Sequence, residues 1–468
     1  MSGLAAGLLR PLGALRPERC LRIAAAGSRT GRRRIAELAG RARSVLDPRT
    51  VRQAAKIVEL VRVGGDRELL ALARRLDGST ARHAAGLRLA APAPAADPGT
   101  LPAGFAEALE RAIAAVERWH APQVQRALRL AQEARLPADD GVEVEAQLWP
   151  LARVGVYVPG GRASYPSTVV MTVVPARLAG VAEIVVATPP AAYHGSAPLR
   201  HTLARLGVEE IWGLGGAQAV AALAYGTGSL RRVDKIVGPG NAWVTAAKRL
   251  VAGDVGIDGL AGPSEVVIVA GADADPALVA ADLLAQAEHD PLAAAVLITP
   301  AAQLARGVAA AVAAQLRELA GAAGAPRTVG AASAATARAA LARFGGALVV
   351  GGWEEALQLV ERIAPEHLQL VGAGAEALAE RVRSAGAVFV GAATPEVFGD
   401  YVAGPSHVLP TCGSARFASG LGVEDFLRRS HRVRFSPAAA ARWAAAAACM
   451  ADAEGLPAHA AAARRRLG

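Results

Sequence analysis

Amide, imidazole and carboxyl side chains recur at short spacings in the C-terminal half of the chain. Gln286 and His289 lie three residues apart in an apolar helical pattern, so their side chains share one helix face. Glu366 and His367 are adjacent and follow Pro365, which concentrates acid and base capacity at one point. Taken alone, the first pair is more typical of a surface or cap position, and the second is compatible with a helix start. For each pair, a catalytic role and a structural role both remain open at this point.

A zinc site would need two ligands beyond Gln286 and His289. The candidates are Asp400 and His407, which flank one glycine-containing turn, and His459 near the C-terminus. Carboxyl and amide oxygens together with imidazole nitrogens form a mixed donor set that suits zinc. Spacing alone supplies two zinc ligands, Gln286 and His289, and does not choose the other two from these candidates.

Four glycine-rich turns are expected to close strands, at 158–161, 213–218, 237–241 and 261–264. Glycine lets a ligand approach the backbone closely, and ligands of α/β sheets bind at the carboxyl ends of strands. A single such turn is ordinary loop chemistry. Four turns that carry Gln218, Asn241 and Ser264 favour a shared cleft.

Two familiar nucleotide-binding fingerprints are missing from the sequence. In the two nearest matches to GxGxxG, Gln218 and Trp243 stand where the third glycine would be. The pattern GxxxxGK[ST] does not occur, which excludes a P-loop nucleotidase. Any nucleotide must therefore bind in another way.

Short β-branched runs alternate with alanine-rich helical stretches from residue 154 onward, and these elements must position the candidate residues. The predicted strands are Val154–Val158, Glu183–Thr188, Glu209–Gly213, Lys235–Val237, Glu265–Val269, Ala295–Thr299, Ala347–Val350 and Ala387–Val390. Strands separated by single helices predict parallel sheets with right-handed crossovers, and hence an α/β fold. The flanking segments 47–135 and 423–467 are predicted to be helical, with a loop over 90–102 in the first of them.

Composition limits the classes of protein that fit. The chain has 468 residues, 53% of them apolar, so it can bury the cores of two or more domains. Residues 1–50 hold eleven Arg and three acids and carry +8 of the net +10, so a nucleic-acid surface is not expected. Cys20, Cys412 and Cys449 form no CxxC pattern, which favours a reducing cytoplasm. We expect no membrane span, and compositional bias explains the arginine-rich start as well as a transit peptide does.

Seven motifs, taken in order, closely resemble the histidinol dehydrogenase family, whose enzymes catalyse the last two steps of histidine biosynthesis. These motifs cover 154–161, 215–223, 234–241, 261–265, 284–290, 364–368 and 399–411. The similarity extends from about Asp47 to the C-terminus, and such an ordered series is far more specific than any single motif. It implies two Rossmann-like parallel-sheet domains without the dinucleotide fingerprint, with helical N- and C-terminal segments.

The resemblance also implies how the chain is divided. We expect a basic extension over 1–45 and a discontinuous α/β domain over 46–156 and 266–420. The second α/β domain is expected over 157–265. The segment 421–468 is expected to be helical and to be exchanged between the subunits of a homodimer.

Binding roles follow from the resemblance, residue by residue. Zinc ligands are expected at Gln286, His289, Asp400 and His459. Substrate histidinol is expected to contact these ligands together with Ser264, His367 and Glu454. The NAD contacts are expected at Tyr157, Gln218 and Asn241.

The chemistry implied by the resemblance is a four-electron oxidation of L-histidinol through histidinal to L-histidine, with each hydride passed to one NAD. His367 is expected to be the general base, and Glu366 is expected to activate the water that hydrates the aldehyde. Zinc is expected to orient the substrate. A nucleophilic cysteine, which aldehyde dehydrogenases commonly use, is not expected, because Cys20, Cys412 and Cys449 are interpreted as structural or incidental.

Two alternatives stay open. One is a related enzyme that oxidises another small polar alcohol, although the turn ending in His407 and the tail 454–459 favour histidinol. The other is a zinc-binding regulatory or nucleic-acid-associated protein, against which the adjacent Glu366 and His367 argue. Arg162 and Gly259 depart from the family pattern and touch none of the expected ligands.

Overall fold

The computed structural model describes residues 16–41, 46–92, 101–136, 140–161, 164–321 and 327–466. Residues 1–15 and 42–45 of the expected basic extension lie outside these ranges, as does Arg162. Within the described residues, helices alternate with parallel strands, which confirms the predicted α/β fold class. None of the described helices is long and apolar enough to cross a membrane.

The first sheet has six strands in the order Arg88–Leu89, Glu210–Gly213, Glu183–Thr188, Arg153–Tyr157, Lys235–Val237 and Gly256–Ile257. All neighbours are parallel except the edge strand Arg88–Leu89, which is antiparallel to Glu210–Gly213. Counted from Arg153–Tyr157, the parallel strands follow the doubly wound order 3-2-1-4-5. The strand order therefore reverses beside Tyr157, where such sheets bind ligands.

The second sheet has six parallel strands in the order Ile23–Ala25, Gly346–Val349, Ala294–Thr299, Glu265–Ala270, His367–Val371 and Ala387–Val390. Counted from Glu265–Ala270, it repeats the order 3-2-1-4-5 and adds Ile23–Ala25 at one edge. Its reversal point lies between Glu265–Ala270 and His367–Val371.

Helices cover both faces of each sheet. Those of the first sheet are Pro48–Leu76, Phe105–Glu133, Pro166–Leu178, Pro190–Gly195, Ala197–Arg205, Gly216–Tyr225 and Ala242–Val251. Those of the second are Pro17–Cys20, Arg29–Ala39, Pro276–Ala287, Ala302–Gly321, Arg327–Arg343, Trp353–Ile363, Ala373–Glu376 and Glu396–Tyr401. Short 3₁₀ turns lie at Ala84–Leu87, Ala379–Arg381, Ser414–Arg416 and Val423–Phe426.

Side-chain alternation explains why both faces of the second sheet are covered. Val266 and Ile268 join one hydrophobic cluster, whereas Val267 and Val269 join another on the opposite face. Successive strand residues point to opposite faces, so a continuous apolar run such as Glu265–Ala270 requires helices on both sides.

A third, antiparallel sheet joins Leu427–Phe435, Val142–Pro150 and Arg135–Leu136. The prediction of a wholly helical tail is therefore wrong for residues 427–435. Only after Phe435 does the chain become helical, in Pro437–Ala453 and Pro457–Arg464. Four arginines lie in this strand and most of its positions are exposed, so its sequence lacks the alternation that would distinguish a half-buried strand from a surface helix.

Strand pairing also corrects the expected domain limits. The sequence groups 46–156 with 266–420, whereas Arg153–Tyr157 is a central strand of the first sheet and Pro48–Leu76 packs in the core of that sheet. The expected N-terminal extension contributes Ile23–Ala25 to the second sheet. The resemblance supplies the order of the motifs but not the partner of each strand, so the expected limits differ from these strand pairings.

Candidate active site

A cavity of about 640 Å³ is lined by loops of both sheets. Gly160, Asn241 and Trp243 reach it from the carboxyl edge of the first sheet. The candidate residues that reach it from the rest of the chain are Ser264, Gln286, His289, Glu366, His367, Asp400 and His407. The structure thus brings together residues that are up to 247 positions apart, from Gly160 to His407.

The acid/base residues lie at the amino edge of the second sheet. Ser264 precedes the strand Glu265–Ala270, and His367 begins the strand His367–Val371. The expectation that all four glycine-rich turns close strands is therefore wrong for the turn 261–264, which opens one. The alternative of a helix start at Pro365 is also wrong, because the preceding helix ends at Ile363 and Ala364 turns the chain with a φ of 50°.

Glu265 holds both members of the acid/base pair through its backbone. Its N–H donates to Glu366 Oε2 at 2.9 Å, and its carbonyl oxygen lies 3.0 Å from His367 Nδ1. The adjacent strands Glu265–Ala270 and His367–Val371 are paired in parallel, which fixes this arrangement. Glu366 Oε2 lies 3.8 Å from His367 Nδ1, and both side chains are buried.

Burial shifts the protonation of the pair in opposite directions. Desolvation raises the pKa of Glu366 well above its usual value, and the nearby carboxyls of Glu265 and Asp400 raise it further. Desolvation lowers the pKa of the His367 imidazole, although Asp400 opposes this effect. A carboxyl and an imidazole that both favour their neutral forms are well suited to exchange protons near neutral pH.

His289 and Asp400 face each other across the cavity wall. His289 Nε2 lies 4.0 Å from Asp400 Oδ2, and His289 Nδ1 lies 2.9 Å from the carbonyl oxygen of Ala285. On the other side of Asp400, His407 Nδ1 lies 3.1 Å from the Asp400 carbonyl oxygen. His407 Nε2 contacts Thr168 Oγ1 at 3.5 Å, so His407 supports the turn that carries Asp400.

Gln286 is buried at the end of the helix Pro276–Ala287, and its amide is oriented by acceptors. In the orientation that satisfies its neighbours, its nitrogen donates to Glu396 Oε2 at 3.2 Å and faces the Glu265 carbonyl oxygen at 3.3 Å. The amide oxygen is then turned away from these acceptors. Glu396 is fully buried, and burial raises its pKa well above the usual value, with Asp400 and Glu366 adding to the shift.

Among the described residues, no three His, Cys, Asp or Glu side chains are grouped closely enough to hold a metal ion. The donors that do converge are one amide, one imidazole and one carboxyl, from Gln286, His289 and Asp400. A metal at this point would need a further ligand from elsewhere.

A second cavity, of about 650 Å³, adjoins the first, and both are lined by Gly160, Gly161, Asn241 and Trp243. It also contains Tyr157 and Gln218. The Gly216 N–H donates to the Tyr157 hydroxyl at 3.1 Å, and burial raises the pKa of Tyr157 to about 12. The three expected NAD contacts therefore line one pocket beside the acid/base pair.

Asp77 takes the place that a ligand phosphate occupies in a Rossmann glycine loop. Its carboxyl accepts from the Gly215 N–H at 3.1 Å and from Gln218 Nε2 at 2.9 Å, at the start of the helix Gly216–Tyr225. A helix N-terminus binds anions, and here a side chain of the protein already supplies the negative charge. This agrees with the missing GxGxxG fingerprint.

Glu454 and His459 do not line either cavity of their own chain. Both are exposed, at the junction and in the second of the two C-terminal helices. These helices pack on each other through a small cluster of Ala448, Ala451 and Ala460. The structure of one chain thus leaves these two expected site residues apart from the others.

Sequence reasoning missed three polar residues of this region, namely Arg41, Asp77 and Glu396. Glu396 precedes Asp400 by four residues in the helix Glu396–Tyr401, a spacing that places both acids on one face and could have been read from the sequence. Asp77 and Arg41 lie far from any motif, and no local signal identifies them.

An α/β fold with two adjoining pockets, one of which holds a buried carboxyl–imidazole pair, defines an enzyme with acid/base chemistry and a two-part binding site. Residues 41–467 match the family described as histidinol dehydrogenase. The chain belongs to the histidinol dehydrogenase family and is an oxidoreductase.

Similar proteins agree with this assignment. A histidinol dehydrogenase of Synechococcus sp. is 45% identical over 412 residues, which are 88% of this chain and 91% of that protein. One of Caulobacter vibrioides is 46% identical over 413 residues, with the same shares. The crystal structure of histidinol dehydrogenase from Elizabethkingia anophelis superposes with a TM-score of 0.76 at 31% identity, and covers 89% of this chain and 92% of that one.

Proposed function

We propose that the chain catalyses the NAD-dependent, four-electron oxidation of L-histidinol through histidinal to L-histidine, with zinc holding the substrate. The observation that carries this proposal is the buried Glu366–His367 pair, which lines the same cavity as Gln286, His289 and Asp400. An acid/base pair beside a mixed amide, imidazole and carboxyl set suits an alcohol that must be both anchored and deprotonated.

His367 is the proposed general base for both oxidations. The Glu265 carbonyl oxygen accepts a hydrogen from Nδ1, so Nε2 keeps its lone pair, and the lowered pKa keeps the ring neutral at neutral pH. His367 Nε2 takes the hydroxyl proton of the alcohol while the carbinol carbon loses a hydride. Such a base contributes roughly 10²- to 10⁴-fold to the rate.

Glu366 is the proposed base for hydration of the aldehyde. Its raised pKa makes its carboxylate a stronger base than an exposed one, so it removes a proton from the water that adds to the carbonyl carbon. The same proton then passes to the former carbonyl oxygen, which completes the hydrate. The hydrate is again an alcohol, and His367 deprotonates it in the second oxidation. Each oxidation releases one hydride and one proton, and ionisation of the carboxylic acid product releases a third proton, so two hydrides and three protons leave per histidinol.

The side chains of Gln286, His289 and Asp400 fit zinc. His289 Nδ1 is engaged by the Ala285 carbonyl oxygen, which leaves Nε2 as a donor 4.0 Å from Asp400 Oδ2. The Gln286 nitrogen is engaged by Glu396, which leaves the amide oxygen as a donor. Zinc held by these residues would orient the imidazole and amine of histidinol without changing its own oxidation state.

The adjoining cavity fits NAD, which accepts each hydride when bound. Tyr157, Gln218 and Asn241 line this cavity, and the shared wall at Gly160 and Asn241 puts it next to His367. Asp77 holds Gln218 and the Gly215 N–H, so the nucleotide must contact the loop without replacing this carboxyl.

We further propose that Glu454 and His459 complete the active site of a second subunit. Both are exposed and lie on helices that pack mainly on each other. A homodimer that exchanges these helices would supply the zinc ligand that Gln286, His289 and Asp400 lack, together with a carboxylate for the substrate amine.

The stoichiometry of NADH formation tests the reaction. Because both oxidations take place in one site, two NADH should form per histidinol, and an aldehyde scavenger should trap no product. One NADH together with a trapped aldehyde would contradict the assignment of Glu366 and His367 to successive steps. A small polar amino alcohol without an imidazole should be a poorer substrate, and equal turnover of it would favour a related enzyme of different specificity.

A further inference from the structure

Arg41 belongs to the N-terminal segment, far in sequence from every motif, yet it lines the substrate cavity and is 3% exposed. Its Nη2 donates to the Leu292 carbonyl oxygen at 2.6 Å and to the Pro263 carbonyl oxygen at 3.3 Å. Its Nη1 lies 3.1 Å from Glu265 Oε1. One guanidinium therefore joins two loops of the cavity wall, at Pro263 and Leu292, to the first residue of the strand Glu265–Ala270.

An aromatic ring and a buried carboxyl also border the guanidinium. Arg41 Cζ lies 4.8 Å from the centre of the Phe344 ring, which also lines the cavity. Glu265, its ionic partner, is fully buried and is also hydrogen-bonded by the thiol and the backbone N–H of Cys412. Burial raises the pKa of the Cys412 thiol, so that thiol remains a neutral donor.

Glu265 connects this arginine to the reacting groups. Its backbone N–H holds Glu366 Oε2, and its backbone carbonyl oxygen holds His367 Nδ1. A displacement of Glu265 would therefore move the acid and the base together. The planar fork of arginine suits this task, because it holds several acceptors in fixed directions, whereas lysine offers a single compact charge.

We propose that Arg41 is a positioning residue, which fixes Glu265 against the loops of Pro263 and Leu292 and thereby keeps Glu366 and His367 in their reactive places. This inference rests on the proposed roles of Glu366 and His367. Arg41 acts on the positions of both residues through Glu265.

The charge of Arg41 has a second, separable effect. The charged or titratable groups that face Glu366 are Arg41, Glu265, His367, Glu396, Asp400 and Cys412. Arg41 is the cation that lowers the pKa of Glu366, whereas Glu265 and Asp400 raise it. Removal of the arginine charge should therefore move the acidic limb of the histidinal-oxidation rate to higher pH.

The experiment compares R41M and R41K with the wild-type dimer. In R41M, kcat should fall about 100-fold for both oxidations, the effect expected of a reacting group misplaced by roughly 1 Å. KM for histidinol and NAD and the zinc content should stay near wild type. In R41K, which keeps the charge but not the fork, kcat should fall about 10-fold, and the acidic limb should stay at the wild-type pH.

Arg153 provides the matched control. It is also a buried arginine, with Glu183 and Glu210 as partners, at the amino edge of the first sheet and away from both cavities. R153M should lower the melting temperature, as R41M should, but it should leave the acidic limb and kcat of the folded enzyme unchanged.

Each possible result supports or overturns the positioning role of Arg41. Unchanged kcat in R41M, or a raised KM with unchanged kcat, would overturn it, and so would a loss of zinc that accounts for the loss of rate. If R41M does not fold, wild-type kcat in folded R41K would overturn it. Failure of the wild-type enzyme to yield two NADH would instead contradict the proposed function.

Discussion

The side-chain amide of Gln286 donates to the buried carboxyl of Glu396, with 3.2 Å between the nitrogen and Oε2. Glu396 Oε2 also lies 4.0 Å from His367 Nδ1, so one carboxyl borders both the proposed zinc ligand and the proposed base. An amide can present either its oxygen or its nitrogen to a cavity. The Glu396 carboxyl accepts from the nitrogen and thereby fixes the orientation of the Gln286 amide, although Glu396 lies outside the family motifs.

Replacement of Glu396 by leucine should therefore weaken zinc binding about 10- to 100-fold, the usual effect of losing a partner that orients a metal ligand. E396Q should bind zinc almost as tightly as wild type, because its amide oxygen still accepts from Gln286. Competition with a chelator measures the zinc affinity without reference to activity. D282L is the control, because it removes a similar carboxyl–glutamine contact, Asp282 with Gln369, and keeps the Gln286–Glu396 contact. Equal zinc affinities in E396L and D282L would contradict this role of Glu396.

Variants of Glu366 and His367 should fail differently, because the proposed mechanism gives these two residues different steps. H367N should depress both oxidations by roughly 10²-fold or more. E366Q should slow histidinal oxidation more than histidinol oxidation, since the first oxidation needs no added water. Single-turnover rates with histidinol and with histidinal separate the two steps. Equal and mild losses in both variants would mean that the pair has only a structural role.

Much of the fold could be predicted from the sequence, because β-branched runs such as Glu183–Thr188 and Lys235–Val237 are local signals. The strand His367–Val371 was missed, since Pro365 and Glu366 also fit a helix start. The neighbouring strand Glu265–Ala270 supplies the hydrogen bonds that make residues 367–371 a strand. The local sequence does not show this pairing.

The site was predictable where residue type carries the chemistry, as at His289 and His367, and where a resemblance supplied the order of motifs. Arg41 and Asp77 could not be found in this way. Each acts on residues that are more than a hundred positions away, Glu265 and Gln218 respectively, through contacts that only the folded sheets create.

The rate of histidinal oxidation should depend on pH through Glu366. Burial raises the pKa of this carboxyl well above its usual value, and its basic form is the ionised one. The rate should therefore rise with pH along an acidic limb that lies well above the pKa of an exposed glutamate, and the limb should be absent in E366Q. Rates measured across pH at saturating NAD and histidinal test this. A limb near pH 4.5, the ordinary glutamate value, would show that Glu366 is not the group that titrates.

The last prediction concerns the division of the active site between subunits. Gln286, His289 and Asp400 meet in one chain, whereas His459 is exposed on a C-terminal helix of that chain. If the helices are exchanged, H289A and H459A should each be inactive and poor in zinc. A mixed dimer of the two variants, however, collects both lesions in one site and leaves the other intact. Coexpressed subunits with different affinity tags, purified over both tags, should recover activity.

The recovered activity should approach about half of wild type per mixed dimer, because one of two independent sites is intact, and zinc should return to about one equivalent per dimer. A mixed dimer of H289A with D400A is the control. Both of its lesions lie in the set contributed by a single chain, so each site keeps one defect and activity should stay low. If tag-verified dimers of H289A with H459A remain as inactive as this control, His459 serves its own chain or is not a ligand, and the shared site is wrong.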